Sequence, residues 1–138
     1  MKTSTVKALA LAALVTLAGC TAERAHTVSE SNPYLSQGRV QFESLNIKYN
    51  VQVARVDSKR LNGGLLKVYL TLRNTTREPV WIDIRTTFLD EDGHKLNDQT
   101  NWEPFRTDPR AVSEYTCTSM NPAAADYQIV VRNPRKPK

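Results

Sequence analysis

Side chains that can act as nucleophiles or bases are few in this 138-residue chain. It contains two cysteines, Cys20 and Cys117, and two histidines, His26 and His94. A nucleophilic cysteine or serine needs a base within hydrogen-bond reach. Neither histidine lies near Cys117 in sequence, no serine has the surroundings of a nucleophile elbow, and no metal-ligand spacing or phosphate-binding glycine loop is present. We therefore expect no catalytic residues, no metal, no cofactor and no enzymatic activity.

The acidic run Asp90-Glu91-Asp92-Gly93 has the carboxylate spacing with which a calcium loop begins. Such a loop requires further oxygen ligands and a closing acidic residue, which Lys95, Asn97 and Gln99 do not supply. We therefore interpret the run as a hairpin turn, with His94 exposed beside it.

Cys20 has a different chemistry available, because the residues before it have the parts of a bacterial export signal. A short segment with two lysines comes first, and the apolar run from Ala8 to Leu17 follows. That run is well short of the roughly 20 residues that span a bilayer. Leu17-Ala18-Gly19-Cys20 resembles the lipobox of bacterial lipoproteins, in which the chain is cut before the cysteine and the sulfur receives a diacylglyceryl group. We therefore predict a lipoprotein signal peptide at residues 1–19 and a lipidated Cys20 with acyl chains such as palmitate; an ordinary secretory cleavage is the alternative.

The net charge bears on whether the protein binds nucleic acid. Removing residues 1–19 takes away two of the 19 basic residues and none of the 14 acidic ones, so the net charge falls from +5 to +3. No clustered basic face is evident, and we predict no nucleic-acid partner.

Cys117 is expected to lie buried in a strand as a small apolar side chain; an intermolecular disulfide in an oxidising compartment is the alternative.

The remaining chain divides into three parts. Residues 20–37 are polar and aperiodic, which predicts a flexible tether. Residues 38–133 alternate between apolar and polar side chains and are expected to form one domain. Residues 134–138 form a short basic tail.

Alternation predicts strands at 39–45, 47–56, 65–73, 80–89, 112–119 and 126–132. In these strands Tyr49 is expected to face inward, and Asp83 and Arg85 outward. Asn62-Gly63-Gly64 predicts a tight reversal, and residues 96–110 are expected to be a loop. The pattern predicts an all-β fold, an immunoglobulin-like two-layer antiparallel β-sandwich of six or seven strands; a small closed barrel is the alternative.

Four side chains are the best candidates for contact with a partner, namely Trp81, Trp102, Phe105 and Arg106. Trp81 lies at an outward position of its strand, and the other three lie within the predicted loop. Aromatic side chains and arginine dominate contact energies when they are exposed. The alternative is that the loop rings fill one end of the sandwich, because a small domain needs its large apolar side chains for its core.

Several short motifs resemble those of the YcfL-type predicted periplasmic lipoproteins. They are Leu72-Arg73-Asn74-Thr75-Thr76 with Pro79-Val80, the Asp90 to Gly93 turn, Trp102-x-Pro104, and Asn121-Pro122 before Asp126-Tyr127. The similarity spans residues 64 to 132, with the lipobox in the expected place. The resemblance implies an immunoglobulin-like envelope lipoprotein of Gram-negative bacteria, connected with cell-envelope or peptidoglycan upkeep through protein contacts. It implies no catalytic residue.

Residue 21 is threonine, whereas an aspartate after the lipidated cysteine is the usual inner-membrane retention signal in enteric bacteria. The resemblance therefore implies an anchor in the outer membrane, on its periplasmic side. We expect a non-catalytic binding or assembly module, held by its lipid anchor and in contact with an envelope protein. The alternative is a periplasmic enzyme or small-ligand carrier whose site is assembled across the sandwich loops.

Overall fold

The structure, a computed structural model, describes residues 39–135. The predicted signal peptide, the lipidated Cys20, the tether and most of the basic tail lie outside the described residues. Within the described part, no helix is long and apolar enough to cross a membrane.

Within residues 39–135, eight strands form two sheets that pack face to face, and one short helix lies between the first two strands. In chain order they are β1 (Val40–Phe42), α1 (Leu45–Asn50), β2 (Val51–Arg60), β3 (Leu66–Asn74), β4 (Val80–Leu89), β5 (Lys95–Gln99), β6 (Glu103–Thr107), β7 (Val112–Thr118) and β8 (Asp126–Arg132). One sheet has the order β2-β3-β7, and the other has the order β1-β8-β4-β5, with β6 also paired to β4. Only β1 and β8 pair in parallel among the described strands. The predicted β-sandwich is confirmed, with eight strands in the described part of the chain instead of six or seven.

The core lies between the sheets and is built by every second residue of the facing strands, as the two-residue period of a strand requires. The central strands β3 and β4 and their neighbour β8 supply most of its buried apolar side chains: Leu66, Val68, Leu70, Leu72, Ile82, Ile84, Phe88, Tyr127, Ile129 and Val131. The alternate residues of the same strands therefore face outward, away from the core.

The segment before β2 is a helix, where alternation predicted a strand over residues 47–56. Only Ile47 of α1 is buried, and Tyr49, expected to face inward, is 57% exposed. The backbone carbonyl of Asn50 at the end of α1 accepts the N–H of Thr75 at 2.9 Å, which joins α1 to the turn after β3. The spacing that suggested a strand before Val51 was therefore fortuitous.

The two predicted reversals are confirmed. In the β2–β3 hairpin, Gly63 and Gly64 have backbone φ values of 108° and 85°, which residues with a Cβ rarely adopt. In the β4–β5 hairpin, Oδ1 of Asp90 accepts the backbone N–H groups of Asp92 and His94 at 3.0 and 2.8 Å. The Asp90 carboxylate therefore supports the turn locally.

Residues 96–110, expected to be a loop, contain most of β5 and all of β6. β6 pairs with the first half of β4 and β5 with its second half, so together they form one edge of the five-stranded sheet. Pro104 is tolerated in β6 because an edge strand does not need every N–H for the ladder. Sequence alternation missed both strands because they are short and largely polar.

A bulge separates β5 from β6. Glu103 pairs with Ile84 and Gln99 with Thr87, so this edge has one residue more than β4 between the two pairs. The N–H of Thr100 donates to the carbonyl of Thr86 at 2.9 Å within the irregular segment. Extra residues of this kind redirect neighbouring side chains, and Trp102 lies in this segment.

A candidate binding face on the five-stranded sheet

The outward face of the five-stranded sheet carries a group of aromatic and arginine side chains, which we call the Trp–Arg face. It consists of Trp81, Asp83 and Arg85 from β4, Trp102 and Arg106 from the bulge and β6, and Arg132 from β8. The even-numbered residues Ile82 and Ile84 of β4 are fully buried in the core. The odd-numbered residues of β4 must therefore point to the opposite side of the sheet.

Trp81 and Arg106 are directly opposite each other on paired strands. Trp81 is 54% exposed. Nη2 of Arg106 lies 3.2 Å from the Asp108 carboxylate, and both side chains are exposed. Two of the sequence-predicted contact residues are thus neighbours on an open surface.

Trp102, the third predicted residue on this face, is half-buried by two arginines. The Cζ atom of Arg132 lies 3.5 Å from the Trp102 ring centroid, and the Cζ atom of Arg85 lies 4.4 Å from it. A guanidinium at such a distance is attracted by the negative potential over the ring. The bulge before β6 thus brings Trp102 onto the centre of the sheet, against strands β4 and β8.

Phe105, the fourth predicted contact residue, lies on the other side of the sheet. It pairs with Ile82 and packs against the core. Its ring meets that of Tyr115 edge to face, with centroids 6.1 Å apart and an interplanar angle of 84°. Adjacent strand residues point to opposite faces, so Phe105 cannot share the Trp–Arg face with Arg106. Its position matches the alternative in which a ring of this segment fills the sandwich.

Below Trp102, Asp83 forms an ion pair with Arg132 across strands β4 and β8. Oδ2 of Asp83 accepts Nε–H and Nη2–H of Arg132 at 3.3 and 3.2 Å. The backbone N–H of Arg135 also donates to this oxygen, at 3.4 Å. The exposed fractions of the two side chains are only 12% and 9%, although both point outward. Sequence alternation gave the direction of Asp83 but could not show that it is covered, because Arg132 and Trp102 come from distant parts of the chain.

Two further titratable side chains, Asp98 and Cys117, are part of the sandwich and not of the Trp–Arg face. Oδ2 of the buried Asp98 accepts the backbone N–H groups of Met120 and Asn121 at 2.8 and 2.9 Å, which fixes the loop before β8. Cys117 is a free thiol, half-buried in β7, and burial raises its pKa. A raised pKa lowers the thiolate fraction and with it the reactivity of the sulfur.

Asp90, Asp92 and His94 have potential metal-ligating atoms within 4.8 Å of one another. Asp92 and His94 are exposed at the tip of the hairpin, and one oxygen of Asp90 already accepts two backbone N–H groups. The turn accounts for this proximity without a metal.

The two packed sheets define an immunoglobulin-like β-sandwich protein with an aromatic and arginine-rich outer face. The chain belongs to the family described as "Protein of unknown function (DUF1425)", whose family model matches residues 38–133. No curated protein matches its sequence.

Two solved structures are similar to it. The crystal structure of Campylobacter jejuni cj0090 matches with a TM-score of 0.61 and 18% sequence identity. The match covers 71% of this chain and 100% of the Campylobacter chain. The crystal structure of a DUF1425 family member from Shewanella sp. pv-4 matches with a TM-score of 0.56 and 19% sequence identity. The match covers 63% of this chain and 81% of the Shewanella chain. At such identities the likeness concerns the fold alone.

Proposed function

We propose that this protein is a YcfL-like envelope lipoprotein that acts as a non-catalytic binding or assembly module. In this proposal, the Trp–Arg face contacts an envelope protein. The observation that carries it is the exposed Trp81 ring directly opposite the exposed Arg106 on paired strands.

A tryptophan in this position contributes little to the core, because more than half of its surface remains in water. Tryptophan and arginine are the residue types most enriched among side chains that dominate binding energy. Tryptophan also supplies a large rigid contact area at a low cost in conformational entropy. The pair therefore supports a surface for a partner that offers an apolar pocket next to an acidic group.

The proposal includes an anchor at Cys20 in the outer membrane, on its periplasmic side, and a role in cell-envelope or peptidoglycan upkeep. It rests on the lipobox-like Leu17-Ala18-Gly19-Cys20 and on Thr21 in place of aspartate. As a random coil, residues 20–37 would hold the sandwich on the order of 20 Å from the membrane. The Trp–Arg face could then reach partners close to the membrane surface.

Photocrosslinking in cells tests the binding surface. A photoreactive amino acid is placed at position 81 or 106, and at Tyr69 as a control, because Tyr69 lies on β3 in the other sheet and at an outward position. We expect discrete adducts of one size from positions 81 and 106 and none from position 69. Trp81→Ala should weaken the adduct formed from position 106. Equal adducts from all three positions, or none from positions 81 and 106, would contradict the proposed surface.

Membrane fractionation tests the anchor separately. Cys20→Ser should release the protein from the membrane fraction, whereas Cys117→Ser should leave it there. Mass spectrometry of the wild-type N-terminus should show a diacylglyceryl cysteine at position 20. An unmodified Cys20 in a protein that still fractionates with membranes would contradict lipidation as the means of attachment.

A further inference from the structure

Arg85 is the one arginine of the Trp–Arg face that has neither an acidic partner nor a hydrogen bond among the described residues. Its Nε atom is buried without a hydrogen-bond partner. Its guanidinium lies against the Trp102 ring, with Cζ 4.4 Å from the centroid. A buried donor without a partner is costly and uncommon in folded proteins.

The neighbouring Arg132 is different, because its charge is balanced by Asp83. The centre of the face therefore contains the buried Asp83–Arg132 pair and the half-buried guanidinium of Arg85. The unbalanced positive charge belongs to Arg85. It is held in place by Trp102, which the bulge between β5 and β6 positions.

We infer that Arg85 and Trp102 form a binding site for a carboxylate group of a ligand. The inference rests on the proposed function of the Trp–Arg face and names the chemistry recognised there. Because Nε is buried and the side chain as a whole is only half-buried, the terminal nitrogens of Arg85 are the donors left for the ligand. The planar arrangement of these nitrogens matches the two oxygens of a carboxylate. Because the guanidinium is stacked on Trp102, the Arg85 side chain has less conformational freedom to lose when a ligand binds.

The charge at the site favours a carboxylate over a phosphate group. A single unbalanced guanidinium matches one negative charge, whereas a phosphate monoester has a charge between −1.5 and −2 at pH 7. Arg132 cannot supply the second positive charge without losing Asp83, with which it is nearly buried. Trp81 lies on the same face of β4, four residues before Arg85 and so about 13 Å along the strand, where it could contact only a part of the ligand well separated from the carboxylate.

Nuclear magnetic resonance titration of the mature protein in detergent micelles tests the site directly. The reporters are the Nε–H signal of Arg85 and the two indole N–H signals. The probes are N-acetyl-alanyl-alanine, which has a C-terminal carboxylate, and N-acetyl-glutamate amide, which has a side-chain carboxylate. The C-terminal amide of N-acetyl-alanyl-alanine, which has no carboxylate, and inorganic phosphate are the comparison probes.

We expect saturable shifts of the Arg85 and Trp102 signals with at least one carboxylate probe, and the stronger of the two identifies the source of the carboxylate. The amide should give no saturable shift. Arg85→Lys should weaken binding by about tenfold or more, whereas Arg73→Lys on the outward side of β3 should leave it unchanged. The comparison of the carboxylate and amide probes is made on the wild-type protein. The test therefore remains valid even if the Arg85→Lys variant folds poorly.

Equal shifts with the amide, stronger binding of phosphate, or no saturable shift with either carboxylate would overturn the inference. Crosslinking from positions 81 and 106 that persists in that case would leave the binding module intact and remove only the carboxylate site. Saturable carboxylate binding without any crosslinked partner would instead contradict the protein partner and keep the site.

Discussion

Asp83 and Arg132 form an ion pair on the outward side of the sandwich, where the 3.3 and 3.2 Å contacts from Nε and Nη2 reach one carboxylate oxygen. The pair joins β4 to β8 at a registered position of the ladder. Trp102 covers the guanidinium, so an ion pair on the outer surface has nearly the burial of a core residue.

Asp83→Asn should destabilise the domain by about 3 kcal/mol, because it leaves the Arg132 charge buried without its partner. Urea denaturation followed by circular dichroism measures the change. Asp57→Asn is the matched control, since Asp57 pairs with the mostly exposed Arg55 and such pairs contribute about 0–1 kcal/mol. Equal losses in the two variants would show that the burial of the Asp83–Arg132 pair has no energetic consequence.

Phe105→Ala should lower the free energy of unfolding by about 3 kcal/mol, because it removes a ring that packs against the core and Tyr115. Trp81→Ala should change the same quantity by less than about 0.5 kcal/mol, because Trp81 is largely exposed. Thermal and urea unfolding of the two variants check this difference. A larger loss from Trp81→Ala than from Phe105→Ala would reverse the assignment of the two rings to surface and core.

Asn74→Ala should destabilise the domain by about 3 kcal/mol, because the buried Asn74 amide ties together the turn after β3. Its Nδ2 donates to the carbonyls of Glu78 and Thr107 at 2.8 and 3.1 Å, and its Oδ1 accepts the N–H and hydroxyl of Thr76 at 2.8 Å each. Asn97→Ala, at an exposed position of β5, is the control and should cost little. Similar unfolding midpoints for both variants would contradict the structural role of Asn74.

Tyr115 should make the protein sensitive to alkaline pH. Burial raises the pKa of Tyr115 to about 12 from its ordinary 10.0, and its buried hydroxyl has no hydrogen-bond partner of good geometry. The folded state thus holds the phenolic proton more tightly than the unfolded state. The resulting stability is complete below pH 10 and is lost as the pH rises toward 12.

Unfolding free energies measured at neutral pH and at pH 11 check this expectation. Tyr115→Phe should change stability little at neutral pH and should reduce the alkaline fall. Part of the fall should remain, because burial also raises the pKa of Tyr127. Tyr69→Phe is the control for loss of a tyrosine on the outward side of β3. An unchanged alkaline fall in Tyr115→Phe would contradict the role of this residue.

The sequence predicted the central strands well because both of their faces are unambiguous. Leu66 to Leu72 alternate without interruption, and every aliphatic residue of that run is buried. The same reasoning was wrong at Tyr49, because a helix of six residues is too short to show its own period. It also missed β5 and β6, whose residues are mostly polar and whose pairing with β4 depends on contacts far along the chain.

The candidate site was only partly visible in the sequence for the same reason. Residue type pointed to Trp81, Trp102 and Arg106, and strand parity gave the outward direction of Arg85. The stack of Trp102 on Arg85 and Arg132 depends on a bulge and on a strand that begins 24 residues later at Asp126. No local pattern encodes that meeting; the local signal is only a tryptophan two residues before Pro104 in a polar segment.

The parallel pairing of β1 with β8 has a mechanical consequence. The N-terminal end of the described chain enters through β1, whose ladder to β8 includes bonds from the N–H of Ile129 to the carbonyl of Arg39 and from the N–H of Glu43 to the carbonyl of Val131. Tension applied along β1 from that end loads these bonds together in shear. It is passed to β8, the strand that carries Arg132, so force on the N-terminus is felt first at the strand beneath the Trp–Arg face.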